Sequence, residues 1–171
     1  MNRPFYRLSI TVTPAAIAGS LVIGALIFGI VLFWLQLSPL EAVIGALIGV
    51  VTHWGLEILH HLGHAWAAQR TGYPMTGIQL GTLGIFGTSL YPSDEPAIPG
   101  PLHIRRALGG PILSALIGAL LIAVALLLGE NTSLLAWWLR LGILESFLMS
   151  VGALMPIRFL DGGSILYWRS R

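Results

Sequence analysis

The chain of 171 residues is 56% hydrophobic, has a mean hydropathy of +0.84 and carries only 9% charged residues. A soluble domain usually carries about 25% charged residues, so this composition predicts a membrane protein with the lipid bilayer as its surroundings. The net charge of +2 is too weak and too scattered to indicate a nucleic-acid partner. Since the chain has no cysteine, disulfides and thiolate metal sites are excluded, and any metal must be held by histidine and carboxylate.

After a short polar start over residues 1–13, four apolar segments predict four transmembrane helices. We expect these spans at about residues 15–37, 40–69, 107–128 and 133–155. The first apolar run is longer than the core of a usual signal peptide and no convincing cleavage site follows it, so we expect an uncleaved span. Together the spans predict a single integral-membrane domain over residues 1–171.

The distribution of arginine predicts the orientation of this domain. With four spans, eight of the nine arginines fall on one side. They are Arg3, Arg7, Arg70, Arg105, Arg106, Arg158, Arg169 and Arg171. Because basic loops stay on the cytoplasmic side, we expect a multi-pass protein of the cell membrane with both termini in the cytoplasm.

The segment between the second and third spans differs from its neighbours. Residues 75–91 contain four glycines, several threonines and β-branched or aromatic residues, without a helical period. This pattern predicts a β-hairpin or an irregular strand pair, which must lie at the interface or be covered by protein because strand edges cannot face lipid. The predicted fold class is therefore an all-α membrane protein of four transmembrane helices with a short β-hairpin or strand insert.

The second span carries a stripe of ionisable side chains. Its members are His53, Glu57, His60 and His64. At about 100° per residue they fall within a sector of roughly 60° on the helix. Such groups are costly in lipid, so we expect the stripe to face inward and to have a function. His60 and His64 lie one turn apart, which is the spacing at which two imidazoles share one metal ion.

A third metal ligand must come from another part of the chain. A divalent ion that activates water needs about three protein ligands and one open position. Asp161 is the best candidate, because it precedes a glycine pair that can bend the backbone sharply and lies on the same side of the membrane as the two histidines. The alternative is that the histidines form hydrogen bonds to the backbone inside the bundle.

Three segments, taken in order, resemble the site-2 protease family of intramembrane zinc metalloproteases. The sequence HHLGH from His60 to His64 resembles the family's HExxH helix, and ALGGPILSAL resembles its Ala-Gly-Pro helix. LDGG, which contains Asp161, resembles the second motif that supplies the third zinc ligand. The resemblance implies a hydrolase of intramembrane proteolysis, with zinc held by His60, His64 and Asp161 and transmembrane proteins or peptides as substrates.

The sequence departs from this family at three positions. His61 stands where the family has the glutamate that acts as general base, and Ser114 and Ala153 stand where it has asparagine. Loss of a general base typically costs about 10²–10⁴ in rate. Two side chains are candidates for its catalytic role: Glu57, one turn before His61, and His61 itself. The alternatives are a polar contact or ligand-orienting role for Glu57, and a spare polar group at His61.

Three function classes remain open on the sequence. The first is a zinc metallopeptidase with an unconventional base. The second is a catalytically impaired pseudoprotease that binds zinc and membrane segments without cutting them. The third and weakest is a metal or proton pathway along the stripe. Hydrogen bonds between spans would account for the presence of His53 and Glu145 in apolar segments. His103 is expected at the membrane interface.

Overall fold

The structure is a computed structural model and describes residues 8–129 and 133–169. Arg3, Arg7 and Arg171, which enter the orientation prediction, lie outside the described residues. Among the described residues, four helical segments are long and apolar enough to cross a membrane, which confirms the predicted fold class of four transmembrane helices. They run over Pro14–Trp34, Pro39–Thr71, Gly100–Leu128 and Leu134–Leu154.

The first span consists of α1 (Pro14–Gly29) and a π-helical turn (Ile30–Trp34). The second span is α2 (Pro39–Thr71), and the third is α3 (Gly100–Leu128). The fourth is α4 (Leu134–Ser150) with a 3-10 turn (Gly152–Leu154), and a short α5 (Asp161–Arg169) follows it. Large apolar side chains on these helices are exposed, Phe33 by 76% and Leu127 by 87%, as expected of an integral membrane protein.

The ends of α2 are set by local chemistry. The Ser38 hydroxyl accepts from the Glu41 N–H, and the Glu41 carboxylate accepts from the Ser38 N–H, which is a reciprocal capping box. The helix ends at Gly72, whose φ of 83° is a left-handed conformation that glycine adopts without strain. These caps fix a helix of 33 residues that carries the whole histidine stripe.

The insert after α2 is a β-hairpin, as predicted, and it belongs to a sheet of three strands. Strand β2 (Gly77–Thr82) pairs antiparallel with β3 (Phe86–Leu90) and parallel with β1 (Ser9–Val12). Strand β1 was not predicted, because a strand of four exposed residues has no inward-facing pattern. The third span was predicted to begin near Ala107, whereas α3 begins at Gly100, directly after the Pro99 N-cap.

One side of the hairpin packs against α1 and α2. A Cβ on Gly19 of α1 would overlap the carbonyl oxygen of Gly84 at the hairpin turn, so the two backbones touch. Ile78 and Leu80 of β2 are buried in one cluster with Ala68 of α2. The hairpin is thereby pressed against α2 and brings β3 alongside the stripe.

Glycines allow α2 and α3 to approach closely. A Cβ on Gly63 of α2 would overlap the carbonyl oxygen of Gly109 on α3, and a Cβ on Gly109 would overlap that of Gly63. Small residues at such a contact replace the hydrophobic driving force that is missing in lipid by backbone packing. This contact brings the stripe on α2 against the first turns of α3.

Candidate metal centre

The structure brings together His60, His64 and Asp161. One donor atom from each residue lies within 4.8 Å of the other two. The two histidine Nε2 atoms are 3.0 Å apart, and the Asp161 oxygens lie 3.2 Å from His60 Nε2 and 3.4 Å from His64 Nε2. Both histidines are buried and the Asp161 side chain is 18% exposed. These three side chains could hold a metal ion.

The outer nitrogen of each histidine is occupied, which directs Nε2 toward Asp161. His64 Nδ1 lies 2.8 Å from the carbonyl oxygen of Arg106, which can only accept, and 3.2 Å from the N–H of Gly110, which can only donate. His60 Nδ1 lies 3.0 Å from the Ser114 hydroxyl, which can donate or accept. At metal sites, a ligand histidine is commonly oriented by a carboxylate or a carbonyl bound to its other ring nitrogen. Here the Arg106 carbonyl contacts His64 and the Ser114 hydroxyl contacts His60 in that way.

The donor set fits a metal ion. The Nε2 atoms of His60 and His64 and the Asp161 carboxylate converge at 3.2 and 3.4 Å, an arrangement that a positive charge among them would stabilise. Ligands about 2.0–2.1 Å from a tetrahedral metal lie roughly 3.3 Å from one another, close to the observed spacings. Gly110 of α3 leaves space for these nitrogen atoms, since a Cβ there would overlap the Nε2 atoms of both histidines.

Asp161 reaches the histidines because α5 begins in a tight backbone turn. A Cβ on Gly162 would overlap the carbonyl oxygen of Leu154, and a Cβ on Gly163 would overlap that of Ile157. The glycine pair therefore packs directly on the end of the fourth span. Burial would raise the pKa of the Asp161 carboxyl, but the hydrogen bonds and charges of His60 and His64 outweigh burial and lower that pKa to about 2.

His61 and Glu57 lie beside the metal group, on the side of the hairpin. The ring centroid of His61 is 5.4 Å from those of both His60 and His64. His61 Nδ1 lies 3.0 Å from the Ser89 hydroxyl, and His61 Nε2 lies 3.6 Å from Glu57 Oε2. The N–H of Gly87 donates to the same Glu57 oxygen at 2.8 Å. Glu57 therefore pairs with His61 and β3, although its helical position places it in the same sector as His60 and His64.

The far end of the stripe has other partners. His53 Nε2 lies 2.8 Å from the carbonyl oxygen of Ile85 near the hairpin turn, and His53 Nδ1 lies 3.6 Å from Glu145 Oε1 of α4. His53 therefore has a hydrogen-bond partner at the hairpin turn, and its contact with Glu145 on the fourth span is longer than a hydrogen bond. His103 stacks on Trp168 of α5 with ring centroids 3.8 Å apart. The stripe thus divides among three sets of partners.

Several residues of this region were not singled out as site residues in the sequence. Gly87 and Ser89 contact the Glu57–His61 pair, and the sequence offered only their place in a strand-like segment. Gly110 and the Arg106 carbonyl border the metal group. Backbone atoms leave no residue-type signal, so the role of the Arg106 carbonyl could not be found from the sequence.

Comparison with known proteins bears on the fold. No model of a protein family matches the chain, and no curated protein matches it. Among solved structures, the chain is similar to the site-2 protease from Methanocaldococcus jannaschii, with a TM-score of 0.61 and 24% sequence identity. The match covers 97% of this chain and 68% of that one.

Fold and site together define a class: an integral membrane protein with a histidine–carboxylate group able to hold a metal ion. At 24% identity, the likeness to the Methanocaldococcus jannaschii site-2 protease shows a shared fold.

Proposed function

We propose that this protein is an intramembrane zinc metallopeptidase that hydrolyses peptide bonds of membrane protein substrates. The observation that carries the proposal is the convergence of His60, His64 and Asp161 within 4.8 Å, inside a bundle with the fold of a site-2 protease. Two imidazoles and a carboxylate with a fourth position left for water are a donor set typical of catalytic zinc.

Within this proposal, the chain's own groups fix the ligands. The Arg106 carbonyl and the Ser114 hydroxyl hold the two imidazoles so that both Nε2 atoms face Asp161. A zinc ion held there would supply a Lewis acid that activates water and polarises the scissile carbonyl. Ser114, where the resembling family has asparagine, provides a hydroxyl that is hydrogen-bonded to His60.

The proton of the attacking nucleophile has to be accepted by a group other than the usual glutamate. We assign this role to His61, because its ring lies beside both ligand histidines and an imidazole nitrogen without a hydrogen can accept a proton. Glu57 is its positioning residue: it faces His61 Nε2 and is itself held by the Gly87 N–H. A carboxylate in this place stabilises the imidazolium that forms on proton transfer.

A second candidate function, a zinc-binding pseudoprotease that binds membrane segments without cutting them, is favoured by one observation. Both ring nitrogens of His61 have partners, Ser89 and Glu57, so proton transfer must displace or pass through one of them. The discriminating variant is His61→Glu. If the parent protein does not cleave a membrane-peptide library and His61→Glu does, the pseudoprotease replaces our proposal.

The metal is tested first on purified protein. We expect one zinc per chain in the parent, a loss of that zinc in Asp161→Ala, and an unchanged content in Asp94→Ala, a control that removes an exposed loop carboxylate. Cleavage by the parent should stop with a chelator and return with zinc. Equal zinc contents in the parent and Asp161→Ala would contradict the proposed site.

We also propose that the protein lies in the cell membrane with both termini in the cytoplasm. The arginine distribution supports this orientation. Since the chain has no cysteine, single introduced thiols can report it. We expect Ser93→Cys to be protected from a membrane-impermeant thiol reagent in intact cells, and Asn131→Cys in the opposite loop to react. The reverse pattern would invert the orientation.

A further inference from the structure

The short helix α5 carries Asp161 as its first residue and Trp168 close to its last. The Trp168 ring stacks on the His103 ring of α3, with centroids 3.8 Å apart and planes inclined by only 5°. The backbones also meet at this place, because a Cβ on Gly100 would lie 2.8 Å from the Trp168 carbonyl oxygen. The end of α5 that is distant from the metal group is therefore in direct contact with the first turn of α3.

The same helix α3 also borders the metal group. A Cβ on Gly110 would overlap the Nε2 atoms of both ligand histidines. Gly110 lies seven residues after His103, a separation of about 10 Å along a helix. Trp168 lies seven residues after Asp161, which is the same separation on α5. The two helices therefore run antiparallel here, with the metal group at one end of their contact and the stacked rings at the other.

We propose that His103 and Trp168 are positioning residues of the metal centre. Their stack holds α5 in the orientation in which the Asp161 carboxylate faces the two histidines. Neither side chain belongs to the donor group itself. This inference deepens the proposed function and rests on it, since the stack acts by completing the zinc ligand set.

A helix as short as α5, with nine residues, depends on contacts at both ends. Isolated helices shorter than about 12–15 residues are marginal on their own. Its first turn is fixed by Gly162 and Gly163, which pack on carbonyl oxygens at the end of the fourth span. Residues 165–169 include no fully buried side chain, and Leu166 is 57% exposed. Without the contact at Trp168, α5 would be free to pivot about the glycine pair.

The tolerance of a metal site shows how firmly α5 must be held. Metal–ligand distances vary by only about 0.2 Å. If the Asp161 carboxylate lies roughly 3.8 Å, one residue length, from the glycine pair, a pivot of about 3° moves it that far. The same pivot moves Trp168, about 8 Å from the pair along the helix, by about 0.4 Å. Parallel rings in contact resist this displacement, because it either compresses the stack or opens a gap in it.

The first test is a zinc titration of the purified full-length protein in detergent. We expect the zinc affinity to fall about tenfold in Trp168→Ala and in His103→Ala, a loss within the range found for aromatic pairs. Trp168→Phe keeps a flat ring and should stay within about threefold of the parent. The matched control is Leu166→Ala, which removes an exposed apolar side chain from the same helix and should bind zinc like the parent. Parental affinity in both ring-removing variants would overturn the inference.

A double variant distinguishes the stack from two separate structural contributions. If the two rings act through one another, Trp168→Ala combined with His103→Ala should lose about tenfold in zinc affinity, no more than either single variant. Independent contributions would add in free energy, so their effects would multiply to about 100-fold. A 100-fold loss in the double variant would contradict the proposed role of the stack.

Hydrogen exchange in the zinc-free protein tests the stack without the metal. Local opening of α5 exposes its amides, so the exchange rate of a peptide over residues 161–169 reports how firmly this helix is held. We expect exchange about tenfold faster in Trp168→Ala and His103→Ala than in the parent, and a parental rate in Leu166→Ala. Peptides of α2 should exchange as in the parent, which separates release of α5 from unfolding of the bundle. Parental rates for α5 in both ring-removing variants would overturn the inference.

The two proposals fail separately. A parent protein that does not bind zinc would contradict the proposed function, and the exchange of α5 would still decide whether the stack holds Asp161 at the histidines. A parent that binds zinc with an affinity unchanged in Trp168→Ala and His103→Ala would contradict this inference and leave the proposed function standing. Lower zinc affinity together with faster exchange of α5, both absent from Leu166→Ala, is the result expected if both proposals hold.

Discussion

The replacement of Gly110 by alanine should abolish metal binding without unfolding the protein. Gly110 lies on α3 directly over the two ligand histidines, and an added Cβ would lie 2.5 Å from His60 Nε2 and nearer still to His64 Nε2. Ordinary contacts of a Cβ begin at about 3.4 Å. The added methyl group would therefore overlap the Nε2 atoms of both histidines.

The magnitude follows from this overlap. To restore ordinary contact, His60 Nε2 or the α3 backbone must move by roughly 0.9 Å, whereas metal–ligand distances tolerate only about 0.2 Å. We therefore expect zinc affinity to fall by at least about 100-fold, the upper end of what loss of an outer hydrogen bond costs. Alanine is preferred over glycine in a helix by about 1 kcal/mol, so the helix itself should not suffer.

The assay is a zinc titration of the purified protein in detergent, with circular dichroism as a check on helix content. Gly118→Ala is the matched control: the same change on the same helix, with its added Cβ 3.2 Å from Ser146 Cβ and remote from the ligands. The control should bind zinc like the parent. Parental affinity in Gly110→Ala would refute the reasoning, because it would mean that the metal does not sit beneath Gly110.

Three further predictions concern the surroundings of the site. Ser114→Ala should weaken zinc binding by about 10–100-fold in the same titration, since His60 Nδ1 loses its partner; Ser114→Thr should retain most of the affinity. Glu95→Ala should lower the free energy of unfolding by about 3 kcal/mol in denaturant titrations, because it leaves the buried Arg106 guanidinium unpaired. In the zinc-free protein, the thermal stability of the parent should exceed that of Asp161→Asn above pH about 4, and the difference should shrink as pH falls toward 2. The sign follows from the lowered pKa of the Asp161 carboxyl: its stabilisation of the folded state is complete above the pKa of the unfolded chain and is lost as pH falls through the folded pKa of about 2. A pH-independent difference would contradict this pairing.

The helices could be predicted from the sequence because lipid leaves few choices. In a bilayer, every backbone polar group must be satisfied internally, so a long apolar segment forms a helix. Each apolar segment of about 20 residues then counts as one span. Strand β1 could not be predicted, since its pairing with β2 joins residues far apart in the chain and its four residues are exposed. The start of α3 at Gly100 could not be predicted, because two adjacent arginines indicate the flank of a membrane span, whereas Arg106 is buried in the helix against Glu95.

The parts of the site that depend on residue spacing within one helix could be predicted. The parts that depend on a contact with a second element could not. The spacing of His60 and His64 fixes their common face, and the bend at the glycine pair indicated Asp161. The partner of Glu57 depends instead on β3, whose Gly87 N–H attracts the carboxylate away from that face. A helical wheel gives the direction of a Cβ and cannot say where the end of a glutamate side chain will find a donor.

On the proposed function, the two faces of α2 separate metal binding from proton transfer. His60 and His64 face α3 and α5, where their ligand partners lie, while His61, turned by about 100°, faces β3. The presence of histidine rather than glutamate at position 61 therefore affects the contacts with the hairpin and leaves His60, His64 and Asp161 in place. On the proposed function, a chain with histidine at this position keeps the residues that would hold the metal, and variants at Glu57 and His61 should alter catalysis at constant zinc content.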